Sequence, residues 1–127
     1  MSPSCWLGAR NDIPDILTQI DALAVPSTGL ESAPRTIAEA QTVGCPVVAS
    51  DIGGIAELLD EGAAGRLVAP GDREGLCAAL RAVTQDADLR QRYIAHGQRR
   101  AEEYYRPAAF ARRCEAVFDR LLQRCCV

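Results

Sequence analysis

Residues 26–54 read PSTGLESAPRTIAEAQTVGCPVVASDIGG, and the order of residue types in this stretch decides the fold. Ahead of it, Ala22–Val25 is a short apolar run that Pro26 stops, and it reads as a strand. Pro34 stands where a helix opens, and Gly44-Cys45-Pro46 ends that helix after Val43. Pro46–Ala49 then makes a short buried strand, followed by Gly53-Gly54. Strand, loop, helix, turn, strand, loop is the repeating unit of a parallel α/β sheet. Two carboxylates, Glu31 and Glu39, stand either side of the helix start with seven residues between them.

Working outward, Ser4–Gly8 is an apolar run ending in glycine and is expected to be a further strand. Asp12 can cap a helix with Pro14 in its first turn, and Ile13, Ile16, Leu17 and Ile20 give it one buried face. Downstream, Ile55–Leu59 reads as a short helix and Arg66–Ala69 as a fourth strand, closed by Pro70-Gly71-Asp72. Asp72 caps a helix with the buried stripe Leu76, Leu80 and Val83. A further helix runs from near Asp88 to about Tyr104. Pro107 opens the last one, whose stripe is Phe110, Cys114, Val117, Phe118, Leu121, Leu122 and Cys125. The expected fold is α/β: a partial Rossmann-like, three-layer domain with a short parallel sheet of about four strands, helices on both faces and a helical C-terminus. No repeat, linker or low-complexity segment divides the chain, so residues 1–127 are expected to form one domain.

The net charge of −3 argues against a nucleic-acid reader, which would be basic. Arginines gather after residue 90, but glutamates lie among them, as on a solvated helical surface. No apolar run approaches the ~18 residues of a membrane span, and the first residues lack the apolar core of a secretory signal. The cysteines are Cys5, Cys45, Cys77, Cys114, Cys125 and Cys126; none forms a Cys-x-x-Cys pair, and His96 is the only histidine, so no metal is expected. Cys77 and Cys114 fall on apolar helix positions and Cys45 beside a buried strand, which suits small hydrophobes in a reducing, cytoplasmic compartment.

In an open parallel sheet, ligands bind outside the carboxyl ends of the strands. The loops after Val25, Ala49 and Ala69 lie there, as does the amino end of the helix at Pro34. Its first amides, around Arg35 and Thr36, have no partner within the helix and sit at the positive end of its dipole, an anion site suited to phosphate or pyrophosphate. Gly53-Gly54 would let the backbone approach a ligand closely. Glu31 lies over the mouth of the crevice and Glu39 just over a turn inside the helix; each carboxylate can accept two sugar hydroxyls. Every feature also has a purely structural reading. Glu39 can pair with Arg35 at i, i+4, for about 0.3–0.5 kcal/mol. Glu31 can be an ordinary loop carboxylate, Ser32 can cap the helix, and Gly53-Gly54 can be a plain turn.

These residues resemble the carboxyl-terminal, donor-binding half of family 4 glycosyltransferases, which have the GT-B fold. The shared pattern is Glu31 to Glu39, then Gly44-Cys45-Pro46-Val47-Val48-Ala49, then Gly53-Gly54-Ile55-Ala56-Glu57. Leu7–Pro14 is similar to the family's Leu-Gly-x-Arg-x-Asp-Val-Pro segment, and Gly65–Asp72 to its Gly-Leu-Leu-Val-Pro-Pro-Gly-Asp. The resemblance implies that Glu39 binds ribose hydroxyls of a nucleotide sugar. Glu31, the candidate catalytic residue, faces hydroxyls of the donor sugar. Ala33, Pro34, Arg35 and Thr36 hold the pyrophosphate, mainly by backbone amides, with Gly53 and Gly54 beside them, and Ala9 and Arg10 border the base. It also implies transfer with retention, without a bound metal or other cofactor. Ala33 departs from the family's frequent aromatic, and Gln41 replaces its usual methionine on the expected packing side of the helix.

The resemblance places this chain at the donor side only, truncated at its N-terminal side. The acceptor domain and the family's basic Arg/Lys pair would lie before residue 1, so the chain is not expected to turn over alone. In the strand order 3-2-1-4-5-6 it would begin at the third strand. The Ser4–Gly8 strand then pairs with the Leu23 strand, or an edge stays open and invites self-association. In the family the last helix crosses back to the missing domain, so its apolar stripe is expected to be partly uncovered here, a second reason to expect an acceptor-domain partner chain or a second copy. The alternative functions are a non-catalytic nucleotide-binding module and a truncated remnant acting only with a partner chain.

Overall fold

The computed structural model describes residues 4–125. One parallel sheet contains β1 (Leu23–Val25), β2 (Val47–Ser50) and β3 (Arg66–Val68), in the spatial order β1-β2-β3. Leu23 pairs with Val47 and Val25 with Ala49; Val48 pairs with Arg66 and Ser50 with Val68. Around the sheet lie α1 (Ile13–Leu17), α2 (Arg35–Val43), α3 (Ile55–Leu58), α4 (Arg73–Gln85), α5 (Ala87–Tyr104) and α6 (Pro107–Cys125), with a 3₁₀ turn at Asp60–Gly62. This is the expected α/β architecture with a helical C-terminus.

Strand β2 is the centre of the molecule because its side chains alternate between two cores. Val47 and Ala49 join Leu17, Ile37, Ala40, Ile55 and Leu59 on one face. Val48 points the other way, against Ala79, Val83 and Tyr93. A strand covered on both faces has to be apolar throughout, which is why Val-Val-Ala reads as an unbroken run. Helix α2 begins after Pro34 and ends at Gly44, whose φ of 79° closes it in the left-handed conformation. Asp72 and Asp86 cap α4 and α5 by accepting from the amides of Gly75 and Leu89 at 2.8 and 2.9 Å.

Several expectations fail for physical reasons. Residues 4–8 form no strand, so the described sheet has three strands rather than about four. Strand β1 shows no second neighbour among the described residues, and without a ladder a short apolar run stays unpaired: Trp6 is 95% exposed. Asp12 does not cap α1, because Arg10 takes its carboxylate, with Nε 2.7 Å from Oδ1. Helix α1 stops at Leu17 and leaves Ile20 exposed, since the side chains of Thr18 and Gln19 both turn back to the Asp15 carbonyl. In α4 the deepest residues are Ala79 and Val83, with Leu76 and Leu80 half-buried and Cys77 exposed. Cys45 is buried as expected, and burial pushes its thiol above the ordinary range. Along α6 the apolar stripe is uncovered, as expected of a helix that crosses to another domain: Phe110, Val117, Phe118, Leu121 and Leu122 are exposed, Phe118 at 64%; the side chain of Cys125 lies outside the described ones.

Nor are the arginines after residue 90 uniformly solvated. The Arg100 side chain is only 12% exposed. Its guanidinium bonds the carbonyls of Glu57 and Leu58 and approaches Asp60, fastening α5 to the turn after α3. Asp60 and Glu61, in the turn that Arg100 reaches, both hold φ near +50° without being glycine. His96, 2.8 Å from Asp60, holds that carboxyl below its usual range, with the charge of Arg100 adding to the effect.

Gln41 is 2% exposed on the packing side of α2. Its Nε2 donates to the Leu58 carbonyl at 2.9 Å, but its Oε1 has no partner. The Leu58 carbonyl also receives Arg100 Nε at 3.1 Å, so it keeps a donor if the amide is removed. An unpaired buried oxygen costs about 1–3 kcal/mol, whereas a neutral hydrogen bond returns about 1 kcal/mol. Gln41→Met is therefore expected to stabilise the fold by about 1 kcal/mol, read from urea denaturation midpoints. A comparable loss would show that the amide is needed where it stands.

Candidate functional site

All three strands run the same way, so the segments following Val25, Ser50 and Val68 emerge at one edge of the sheet. Helix α2 also starts at that edge, directly after the loop from Pro26. The residues singled out in the sequence divide here into those the fold joins and those it does not.

The amino end of α2 is left open. Pro34 has no side chain to cap it, and among the described residues no other side chain does so; Ser32 does not serve. The first turn holds no acidic residue, in contrast to α4 with Glu74 and α5 with Asp88. A missing cap forgoes about 0.5–2 kcal/mol. Stability is thus left ungained where unbonded amides and the positive dipole end meet the sheet edge, which is where a local rule is broken at functional sites.

Gly53 and Gly54 are not a plain turn. The Gly54 amide donates to the Glu31 carbonyl at 3.0 Å. A Cβ on Gly54 would lie 1.9 Å from the Ser32 carbonyl oxygen, and one on Gly53, whose φ is 58°, would lie 1.8 Å from that of Glu31. The close approach expected towards a ligand is in the first place an approach to the backbone of the Glu31 loop. The glycine pair clamps that loop and so fixes where Glu31 and Ala33 stand relative to α2.

Glu31 is half-buried, with Ser27 Oγ donating to its Oε1 at 3.2 Å. Ser27 was not singled out in the sequence; its place four residues before Glu31 in the same loop is the only signal. Glu39 keeps 21% of its side chain exposed and receives Arg35 Nε at 2.9 Å. The i, i+4 pair is therefore formed. It does not fill the carboxylate, which has lone pairs for about four hydrogen bonds. Thr36 is exposed on the same first turn. Ala9 and Arg10 are exposed as well, and Arg10 is paired with Asp12; among the described residues no hydrogen bond or ion pair joins either to the central stretch.

A cleft of about 130 Å³ opens at the strand ends, walled by Pro26, Thr28, Ser50, Ala69 and Asp72 among others. That is below the ~300 Å³ of an ordinary ligand pocket, so it forms only part of a wall. Larger hollows of about 480 and 510 Å³ lie beside His96 and beside Tyr105. Neither they nor the small cleft are walled by the paired glutamates or the open helix end; the small cleft is distinguished by its place at the strand carboxyl ends, the edge from which the Glu31 loop and α2 start.

Fold and site together define an open parallel α/β domain of the kind that takes ligands at its strand carboxyl ends. Residues 4–100 match the family described as Glycosyl transferases group 1, and the chain belongs to that family. It is 38% identical over 84 residues to a phosphatidyl-myo-inositol mannosyltransferase of Mycolicibacterium smegmatis, covering 66% of this chain and 22% of that protein. It is 40% identical over 83 residues to an Escherichia coli UDP-Gal:alpha-D-GlcNAc-diphosphoundecaprenol alpha-1,3-galactosyltransferase, covering 65% and 21%. Crystal structures of Anabaena HepE with UDP and with UDP-glucose superpose with a TM-score of 0.81 at 29% identity, covering 89% of this chain and 31% of that one. The fold is accordingly similar to part of GT-B glycosyltransferase structures. The chain spans about a fifth to a third of the length of these relatives. No described helix is long and apolar enough to cross a membrane.

Because the glycine clamp admits no Cβ, Gly54→Ala is expected to destabilise the fold by about 1–3 kcal/mol. It should also raise amide exchange around Glu31 and Ser32 while leaving α5 protected. Unchanged exchange in that loop would mean that the clamp does not hold it.

Proposed function

We propose that this chain is the donor-binding half of a family 4 glycosyltransferase. It holds a nucleotide sugar so that the sugar passes, with retention at its anomeric carbon, to an acceptor hydroxyl. The observation that carries this reading is an uncapped helix start lying between two glutamates at the carboxyl edge of a parallel sheet. Glu39 takes the ribose hydroxyls and Glu31 those of the donor sugar. Ala33, Pro34, Arg35 and Thr36 surround the diphosphate, chiefly with amides; Ala9 and Arg10 border the base. As the bond from the anomeric carbon to the diphosphate oxygen breaks, negative charge grows on that oxygen, and fixed amides aimed at it stabilise the departure. This reading assigns the leaving group to amides and a guanidinium rather than to a metal.

The acceptor is bound by residues outside these 127, in a partner chain or another part of a longer protein. The uncovered stripe of α6 supports this, since an apolar face of that kind marks an interaction surface. The same exposed stripe favours, as a second reading, a non-catalytic module that binds the nucleotide sugar for a partner. A cytoplasmic setting is supported by the free cysteines Cys5, Cys45, Cys77 and Cys114.

Calorimetric titration with UDP-, GDP- and ADP-sugars tests the donor site. Saturable binding to one nucleotide is expected, weakened about tenfold or more in Glu39→Ala, since hydrogen bonds to a charged group contribute about 1.5–3 kcal/mol. A folded protein that binds none of them would refute it. Sugar transfer restored by an added acceptor domain would separate the enzyme from the binding module.

A further inference from the structure

We propose that Arg35 is a positioning residue that passes from Glu39 to the diphosphate of an incoming nucleotide. One guanidinium thereby occupies the ribose carboxylate in the empty site and the phosphates in the filled one. This rests on the reading above, in which Glu39 binds ribose and the start of α2 binds the diphosphate.

The pair is built to part. The Arg35 side chain is 90% exposed, and only its Nε is engaged, at 2.9 Å from Glu39 Oε1. A guanidinium carries five N–H donors, so its outer edge remains free to meet a second anion. Exposed ion pairs are weak and screened by salt. Side chains on a helix tilt towards its amino end. Both charged heads therefore lie beside the first turn, where the amides of Arg35 and Thr36 have no intrahelical partner.

The order of the two charges points to an anion that completes them. At i, i+4 a helix gains most from an acid followed by a base, and a cation at the amino end opposes the dipole. Helix α2 has the reverse order, a base followed by an acid, with no acid in its first turn and no cap. Helices α4 and α5 of the same chain carry the favourable arrangement, an Asp cap with an acid in the first turn. Arg35 is thus misplaced for the stability of an empty helix. A bound diphosphate reverses the sign, because guanidinium, open amides and dipole then act on the same charge. Arginine grips phosphate oxygens through paired hydrogen bonds, a better partner than a screened surface carboxylate. Release of Arg35 also frees Glu39 Oε1 for a ribose hydroxyl. The two binding events are coupled through one side chain.

The test compares UDP with uridine, which has the ribose but no phosphate, on wild type, Arg35→Gln, Arg35→Lys and Glu39→Ala. UDP is titrated by calorimetry and uridine by NMR shift, with GDP and guanosine run in parallel. Arg35→Gln is expected to weaken UDP binding about tenfold, the loss of a hydrogen bond between charged groups. Uridine affinity should be unchanged or higher, because Glu39 has lost its competitor. Arg35→Lys should fall between. Equal losses for UDP and uridine would overturn the transfer and leave Arg35 as a support for Glu39. No change in either would make the pair a solvated surface contact and would equally overturn it. Both results differ from failure of the donor-site reading itself, in which wild type binds neither UDP nor GDP. Since the Arg35 side chain is exposed, both Arg35 variants should melt within a few degrees of the wild type, and circular dichroism checks that these and Glu39→Ala are folded.

Discussion

The Gly54 amide donates to the Glu31 carbonyl across 3.0 Å, at a spacing that admits no side chain on either glycine of the pair. That contact joins the segment leaving β2 to the segment leaving β1. The first carries the chain into α3; the second carries Glu31 and delivers the chain to α2. Without the contact, the two loops would be independent excursions at the sheet edge, and Glu31 would have no fixed relation to the open end of α2. The core makes it possible. With β2 buried on both faces, the ends of β1 and β2 are held at sheet spacing, and the loops leaving them have little room to separate.

The elements most legible in the sequence are those whose signals are local. Pro34 and Gly44 mark the ends of α2 within a residue, because each fixes its own backbone angle. Asp72 announces α4 for a similarly local reason. Expectations that depended on distant partners did less well. Ser4–Gly8 has strand composition but forms no ladder with the free edge of β1, and composition alone does not decide a pairing. Ile20 continues the apolar spacing of α1, yet Thr18 and Gln19 end the helix first. Arg100 looks like its solvated neighbours in the sequence, and only the fold shows it reaching the carbonyls after α3.

The candidate site was legible in the same uneven way. Two glutamates with seven residues between them and a helix start in that interval could be read directly. The i, i+4 partnership of Arg35 with Glu39 was also in the sequence, and the structure contains the pair. What the glycine pair faces could not be read, because that depends on two loops meeting. The same holds for Ser27 on Glu31. Family membership places the chain among glycosyl transferases group 1, and the uncapped helix gives a physical reason why an anion would settle at this edge.

The most direct measurement is an amide NMR titration of the whole chain with UDP. If the donor diphosphate settles on α2, the largest shift changes fall on the amides of Ala33, Arg35 and Thr36. Those of Gly53 and Gly54 follow through the clamp, and the amides around Arg92 and Arg99 stay still. Shift changes concentrated around His96 and Arg99, or none at the start of α2 in a folded sample, would contradict that placement.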